Sequence, residues 1–262
     1  MSTDIDLKNT QTIKVDTLKK NGGQYALVSL SAGNIDAILA LQDVIFDSLS
    51  AKEQSFLLRK SREFFEKHFA EGNIVLGVVH NGQLVAQSVI VHPTAQNPRT
   101  GMVDMVLEAK PEEVTIIQGV VVHPAYQGNR LMTEMVDAWL AIAEKQGRTH
   151  AIAEVAVGNY FSWSIFLKEG LHIHSLGVDP ADGTQLYNIH ARVAPLVKKR
   201  LKPDFNKASA KGSVKCHHAD IEAQKKLLSS GHKGVKFDPA AGTIEFKPSK
   251  KPPPPPNGKR LP

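Results

Sequence analysis

Apolar residues between positions 25 and 193 recur with two periods, and these divide the stretch into short strands and amphipathic helices. Residues 25–30 (YALVSL) predict a strand. Asn34 is placed to cap a helix over 35–49, where Ile35, Ile38, Leu39, Leu41, Val44 and Ile45 fall at helical spacing. A second helix is predicted over 52–70, with Phe56, Leu57, Phe64, Phe65 and Phe69 as its apolar face and Glu71-Gly72-Asn73 as its stop. Two β-branched runs, 74–79 and 84–91, flank His80-Asn81-Gly82-Gln83, and Asn-Gly between such runs predicts a hairpin. Residues 92–113 read as a long connection and a substrate-side loop. Residues 114–123 are nearly all apolar, as in a central strand covered on both faces. Gly119 in the middle of that strand predicts a bulge.

A polar turn, Pro124-Ala125-Tyr126-Gln127-Gly128-Asn129, then leads into a helix from about Arg130 that Gly147 stops; Met135, Val136, Trp139, Leu140 and Ala143 line one side. Strand 150–157, a short helix over 159–168 and a closing hairpin, 171–176 with 186–193, complete the pattern. This order predicts an α/β (α+β-like) fold: a central, mostly antiparallel mixed sheet with helices on both faces. The turn before residue 130 has a further consequence. A helix N-terminus leaves backbone N–H groups unpaired, and with the helix dipole they form a site for phosphate.

Composition changes this picture mainly at the ends of the chain. Of 262 residues, 42% are hydrophobic and 22% charged, which excludes the disordered and membrane-spanning classes. Residues 1–23 lack sustained periodicity and read as a flexible leader without an apolar signal segment. From Lys198 onward, 16 Lys or Arg face 5 Asp or Glu, a net +11. The whole chain carries +6, so residues 1–197 are acidic, at −5. The division expected is therefore a leader (1–23), a folded domain (24–195), and a basic, partly disordered extension (196–262) ending in the polyproline run 252–256. Within the extension, 220–228 predicts a short helix, and 234–237 with 243–246 a small hairpin. A basic tail contacts nucleic acid or another polyanion in some proteins and is merely solvated in most. Cys216 is the only cysteine, which excludes an internal disulfide and makes a cytoplasmic location the default. Cys216-His217-His218 with His232 has no zinc-type spacing, so no metal is expected.

The strand–turn–helix over 114–147 resembles the GNAT superfamily of acetyl-CoA-dependent N-acetyltransferases, and the likeness extends over residues 25–193. The family's turn reads Q/R-x-x-G-x-G/A; here it is Gln127-Gly128-Asn129-Arg130-Leu131-Met132, with Arg130 and Met132 in place of both glycines. A second block, Asn159 to Gly170-Leu171, keeps the family's asparagine-to-glycine spacing. The resemblance implies a GNAT fold and acetyl-CoA as cosubstrate. It implies a pantetheine arm along Val120, Val121 and Val122, and a pyrophosphate on the amides of Gln127, Gly128, Asn129, Arg130, Leu131, Met132 and Thr133. Asn159 would hydrogen-bond the arm. Met132 must then turn into the core.

Acetyl transfer to an amine needs a base, donors for the developing oxyanion, and in some enzymes an acid for the thiolate. Glu154, in the apolar strand AIAEVAV, stands five residues before Asn159, the offset of the base in a related branch; burial is expected to raise its pKa. Gln118 is placed to polarise the amine but cannot act as a base. His123 beside the turn reads as structural. Phe166 occupies the position where many relatives carry tyrosine and has no proton to give. The leading expectation is an N-acetyltransferase for a primary amine of unspecified identity, monomer or homodimer, with Glu154 as general base. The alternatives are a non-catalytic acyl-CoA-binding regulatory module and a macromolecule-binding protein acting through its basic tail.

Overall fold

The computed structural model describes residues 3–5, 10–98, 109–179, 182–201 and 212–249. The chain divides into two compact units, Met1–His92 with Ile116–Ile142, and Pro93–Thr115 with Ala143–Pro262.

The first unit contains β1 (Gln11–Thr17), β2 (Gln24–Ser29), α1 (Ile35–Ser48), α2 (Ala51–Gln54), α3 (Arg62–Ala70), β3 (Ile74–His80) and β4 (Gln83–Val91), then most of β5 (Val114–Val122) and of α4 (Leu131–Lys145). Its strands lie in the order β1-β2-β3-β4-β5, each antiparallel to the next. The hairpin between β3 and β4 turns on Asn81 (φ 50°) and Gly82 (φ 79°), two consecutive left-handed residues that close a two-residue turn. On one face of the sheet, Ile35, Ile38, Leu41 and Ile45 of α1 and Phe65 of α3 pack over Val75, Val79, Leu84, Val89, Val91 and Val121. Burying these side chains is the main favourable term in the unit, at roughly 25 cal/mol per Å² of apolar surface.

Two elements differ from the sequence reading. Residues 11–17 form the edge strand β1 rather than part of a flexible leader. Ile13 and Val15 are 42% and 57% exposed, so the strand has no buried face whose period would reveal it. The helix predicted over 52–70 is two helices, each with its own serine cap: Ser50 Oγ accepts from Glu53 N–H and Ser61 Oγ from Phe64 N–H, both at 3.3 Å. The buried Gln42 side chain holds the intervening segment by exchanging two hydrogen bonds with the Lys60 backbone, at 2.9 and 3.2 Å.

The second unit contains β6 (His150–Ala156), α5 (Tyr160–Lys168), β7 (His172–Val178), β8 (Gln185–Arg192), α6 (Val193–Arg200), β9 (Val214–His217), α7 (Ile221–Ser229), β10 (His232–Asp238) and β11 (Thr243–Pro248). Strand order is β6-β8-β7-β10-β11-β9, with antiparallel neighbours. Trp163, Phe166, Ile173, Tyr187, Ile189 and Phe246 are fully buried in its core. The short helix and small hairpin expected beyond residue 219 are α7 and β10–β11, and β10 joins β7 through the pair Gly234↔Ile173. Gln224 of α7 is fully buried. Its Oε1 accepts from the Tyr187 hydroxyl at 2.6 Å, and its Nε2 donates to His218 O at 2.8 Å. Upstream, the Arg148 guanidinium donates to the carbonyls of Pro93, Pro111 and Val114 at 2.9, 3.3 and 2.9 Å, which ties down both ends of the long connection. Residues 99–108 of that connection and the polyproline run lie outside the described residues. Among the described residues, no helix is long and apolar enough to cross a membrane.

Candidate active site

β5 carries the bulge expected at Gly119. Pairing to β4 runs Val89↔Gln118 and then Gln87↔Val121, so Gly119 and Val120 together stand opposite Ser88. An extra residue on one strand breaks the ladder locally and frees backbone groups. Gly119 takes φ 59°, a left-handed value that favours glycine, and the buried Gln87 side chain donates from Nε2 to Gly119 O at 2.9 Å. The other amide atom, Gln87 Oε1, is buried without a hydrogen-bond partner, an acceptor open to a donor at the bulge. Val121 is buried, whereas Val120 and Val122 are half-buried.

Beyond β5 the chain closes into a tight turn. His123 N–H donates to Val85 O at 2.8 Å, and its Nδ1 accepts from Ala125 N–H at 3.1 Å, capping the short 3₁₀ turn Pro124–Tyr126. Burial lowers the His123 pKa, and both contacts fit the structural part expected of it. Asn129 is 2% exposed, and its side chain organises the turn. Asn129 Oδ1 accepts from the backbone N–H groups of Lys20 and Asn21 at 2.6 and 3.2 Å, while Nδ2 donates to Tyr126 O at 2.9 Å and to Asn21 Oδ1 at 3.1 Å. Gly128 has φ 85° and Arg130 φ 64°, so arginine takes the left-handed conformation a glycine would adopt without strain. Gln127, Gly128 and Arg130 are exposed; Leu131, Met132 and Thr133 are buried, and Met132 turns inward as required. The first helical bond of α4 runs from Glu134 N–H to Arg130 O at 3.0 Å. The N–H groups of residues 131–133 precede that ladder.

A polar chain reaches β5 from α3. Gln118 Nε2 lies 3.1 Å from Nε2 of His68, a buried ring packed edge-on against Phe64. His68 Nδ1 is 3.0 Å from Asn73 Nδ2, which also donates to Glu71 Oε2, and Asn73 Oδ1 accepts from His92 N–H at 3.0 Å. Sequence reasoning singled out Gln118 but not His68, whose place on the apolar face of α3 beside Phe64 and Phe65 looks like ordinary core. It also missed Lys20 and Asn21, because no local pattern points to partners more than 100 positions away.

Glu154 and Asn159 belong to the second unit. Glu154 is exposed on β6, between buried Ala153 and Val155, so the burial expected to raise its pKa is absent. Six of the seven strand residues are buried, Ile152 and Ala156 on Glu154's own side among them, and Glu154 is the one that reaches water. Asn159 caps α5, its Oδ1 accepting from Ser162 N–H at 3.2 Å. Phe166 is 1% exposed and packs in the core. A cavity of about 310 Å³ lined by Leu39, Asp43, Arg59, Lys60 and Ser61 contains none of the expected site residues.

The acetyltransferase (GNAT) family model matches residues 41–171, half of the chain. The chain belongs to the GNAT acetyltransferase family. The matched span includes β5, the Gln127–Thr133 turn and the Asn159 block, and the GNAT cosubstrate is acetyl-CoA. No curated protein matches the chain by sequence. Among solved structures, the GNAT domain of PAT from S. lividans is 13% identical with a TM-score of 0.49, covering 72% of this chain and 99% of that one. The acetyltransferase yncA from Salmonella typhimurium, solved with its cofactor acetyl-CoA, is 13% identical with a TM-score of 0.48, covering 72% and 98%. The ribosomal-protein-S18-alanine N-acetyltransferase of Escherichia coli is 13% identical with a TM-score of 0.46, covering 64% and 94%.

Proposed function

We propose that the chain is a cytoplasmic N-acetyltransferase that moves acetyl from acetyl-CoA to a primary amine, on a small molecule or a protein, by direct attack. The observation that carries this reading is the bulge at Gly119 followed by the Asn129-centred turn, both inside the family-matched residues. In this reading the backbone of Val120, Val121 and Val122 pairs with the pantetheine arm, and the unpartnered Gln87 Oε1 supplies an acceptor beside it. The amides of Gln127, Gly128, Asn129, Arg130, Leu131, Met132 and Thr133 receive the pyrophosphate, with the α4 dipole behind them. Asn159 Oδ1 is engaged by Ser162 N–H, so Asn159 acts on the arm through its NH₂.

The acetyl thioester supplies the electrophilic carbonyl. The Glu154 carboxylate takes one proton from the acceptor ammonium, and its exposure gives that proton a direct path to water. The amine nitrogen bonds to the carbonyl carbon as the carbon–sulfur bond breaks. Charge gathering on the carbonyl oxygen is met by the N–H of Val120 or Val122. The remaining proton lost by nitrogen neutralises the departing thiolate. Phe166 cannot deliver it, but a thiol with pKa about 8.5 leaves without a dedicated acid.

Release of free thiol from acetyl-CoA over a panel of primary amines tests the reading. Amine-dependent release is expected, with a drop of about 100-fold in Glu154→Gln. Full release in that variant would remove Glu154 from the role. The buried, hydroxyl-free Phe166 favours a second reading, a non-catalytic acyl-CoA-binding module. Tight acetyl-CoA binding with no thiol release from any amine selects it.

A further inference from the structure

The N-terminal segment is fastened to the 125–134 region from both sides. Lys14 Nζ on β1 meets Glu134 Oε2 in the first turn of α4 at 2.6 Å. Asn21 Nδ2 donates to Ala125 O at 3.1 Å, and Asn21 Oδ1 accepts from Asn129 Nδ2 at 3.1 Å. Between these anchors, Leu18 is buried, and Leu18 N–H to Gly23 O (3.0 Å) with Gly22 N–H to Leu18 O (3.2 Å) closes a small loop. The Lys20 side chain lies across Gly128: a Cβ on that glycine would stand 3.5 Å from Lys20 Cδ. Lys20 is exposed and makes no ion pair among the described residues.

We propose that Lys20 is a cofactor-binding residue whose ammonium contacts the phosphates of acetyl-CoA at the 127–133 turn, and that Lys20 and Asn21 hold this turn in its binding conformation. The proposal rests on the reading of that turn as the pyrophosphate site. Two features support it. An ammonium carried by a side chain that crosses Gly128, shortly before α4, brings a point charge to where backbone dipoles already favour an anion. The turn also lacks the family's usual glycines, and a left-handed arginine persists only where its surroundings over-determine it. The four hydrogen bonds of Asn129, three of them to Lys20 and Asn21, do so for Arg130.

Calorimetric titration of the full chain with coenzyme A, and separately with acetyl-pantetheine, which has no phosphate, reads both parts. Lys20→Ala is expected to raise the coenzyme A Kd about 3- to 10-fold, the scale of an exposed charge pair. It should also flatten the salt dependence, while acetyl-pantetheine affinity stays unchanged. Lys20→Arg should retain most of the coenzyme A affinity. Wild-type coenzyme A affinity in Lys20→Ala overturns the phosphate contact. No coenzyme A binding by the wild type is a different result, and it overturns the pyrophosphate site itself. Asn21→Ala should speed amide exchange over residues 127–131 and raise the coenzyme A Kd. Unchanged exchange there overturns the positioning role.

Discussion

Gln118 on β5 and His68 on α3 face each other through their Nε2 atoms at 3.1 Å, and the bonds of Asn73 determine which proton lies between them. Asn73 Oδ1 accepts from His92 N–H, so Asn73 Nδ2 is the donor to His68 Nδ1. A ring nitrogen that accepts carries no proton. His68 is therefore neutral and protonated on Nε2; an Nε2–H facing the Gln118 NH₂ would set donor against donor, so the Gln118 amide is assigned the rotated orientation, with Oε1 in place of Nε2 at this 3.1 Å contact. Long-range ¹H–¹⁵N spectra are expected to show a neutral Nε2–H tautomer for His68. His68→Leu removes the ring that the Gln118 and Asn73 amides bond, with Asn73 keeping Glu71 and His92, and should cost about 1–3 kcal/mol in urea unfolding. An Nδ1–H tautomer or a doubly protonated ring would contradict the assignment.

Gly119 and Arg130 make opposite tests of left-handed backbone. A Cβ on Gly119 meets no atom nearer than Gln87 Nε2 at 4.0 Å, so Gly119→Ala carries conformational strain without a clash. Its expected cost is about 1–2 kcal/mol. Arg130→Gly relieves the same strain and should stabilise by about 0.5–1 kcal/mol, net of the freedom glycine adds to the unfolded chain. Chemical denaturation of both variants checks the pair; equal midpoints for the two would count against the φ values.

The Tyr187 hydroxyl and Gln224 fasten α7 to the second unit's core. Burial holds the phenol well above its ordinary pKa, consistent with its service as a neutral donor. Gln224→Leu orphans the hydroxyl and takes a donor from the His217 and His218 carbonyls, the first of which keeps the Asp220 N–H, and should lower stability by about 1–3 kcal/mol. Tyr187→Phe should cost about 1 kcal/mol, because the ring stays packed against Trp163 at 5.6 Å. Thermal melts of the two variants distinguish a stapled helix from a loosely tethered one, for which neither change matters.

Acid should weaken the second unit before carboxylates titrate. His172 and His174 are pushed down to about 4, first by burial and then by nearby lysines: Lys199, Lys233 and Lys247 for His172, and Lys233 for His174. His190 is lowered as well, by burial and by His150, whose Nδ1 is 2.9 Å from its Nε2. Unfolded histidine titrates near 6.5. Between about 6.5 and 4 the unfolded chain binds protons that the folded chain refuses, so stability falls as pH falls through that window. The contribution is intact above 6.5. The slope is at most about 1.4 kcal/mol per pH unit per histidine, less for their partial exposure. Urea midpoints at pH 7.5, 6 and 5 should decline in order; a flat series contradicts the shifts.

What the sequence determined by itself was local. Asn81-Gly82 imposes a two-residue turn because both positions need positive φ. Asn159 caps α5 because its side chain reaches an N–H three residues on. Gly119 marks the bulge because the strand around it has no other reason for a glycine. The apolar periods of α1, β4 and β5 follow from burial on fixed faces, and with the two motif blocks they were enough to place the family.

Tertiary structure decided the rest, because the deciding contacts join residues far apart in the chain. Asn129 finds Lys20 and Asn21 across 109 and 108 positions, Gln118 finds His68 across 50, and Tyr187 finds Gln224 across 37. β1 is held by its ladder to β2 and by Lys14, not by an apolar face, so periodicity could not reveal it. Glu154 stands in an apolar run yet reaches water, although Ile152 and Ala156 on the same side of the strand are buried, so strand period alone does not give its exposure. Local propensity is a property of a few neighbouring residues. Which polar groups are buried together, and so must satisfy one another, is fixed only when the chain has closed on itself.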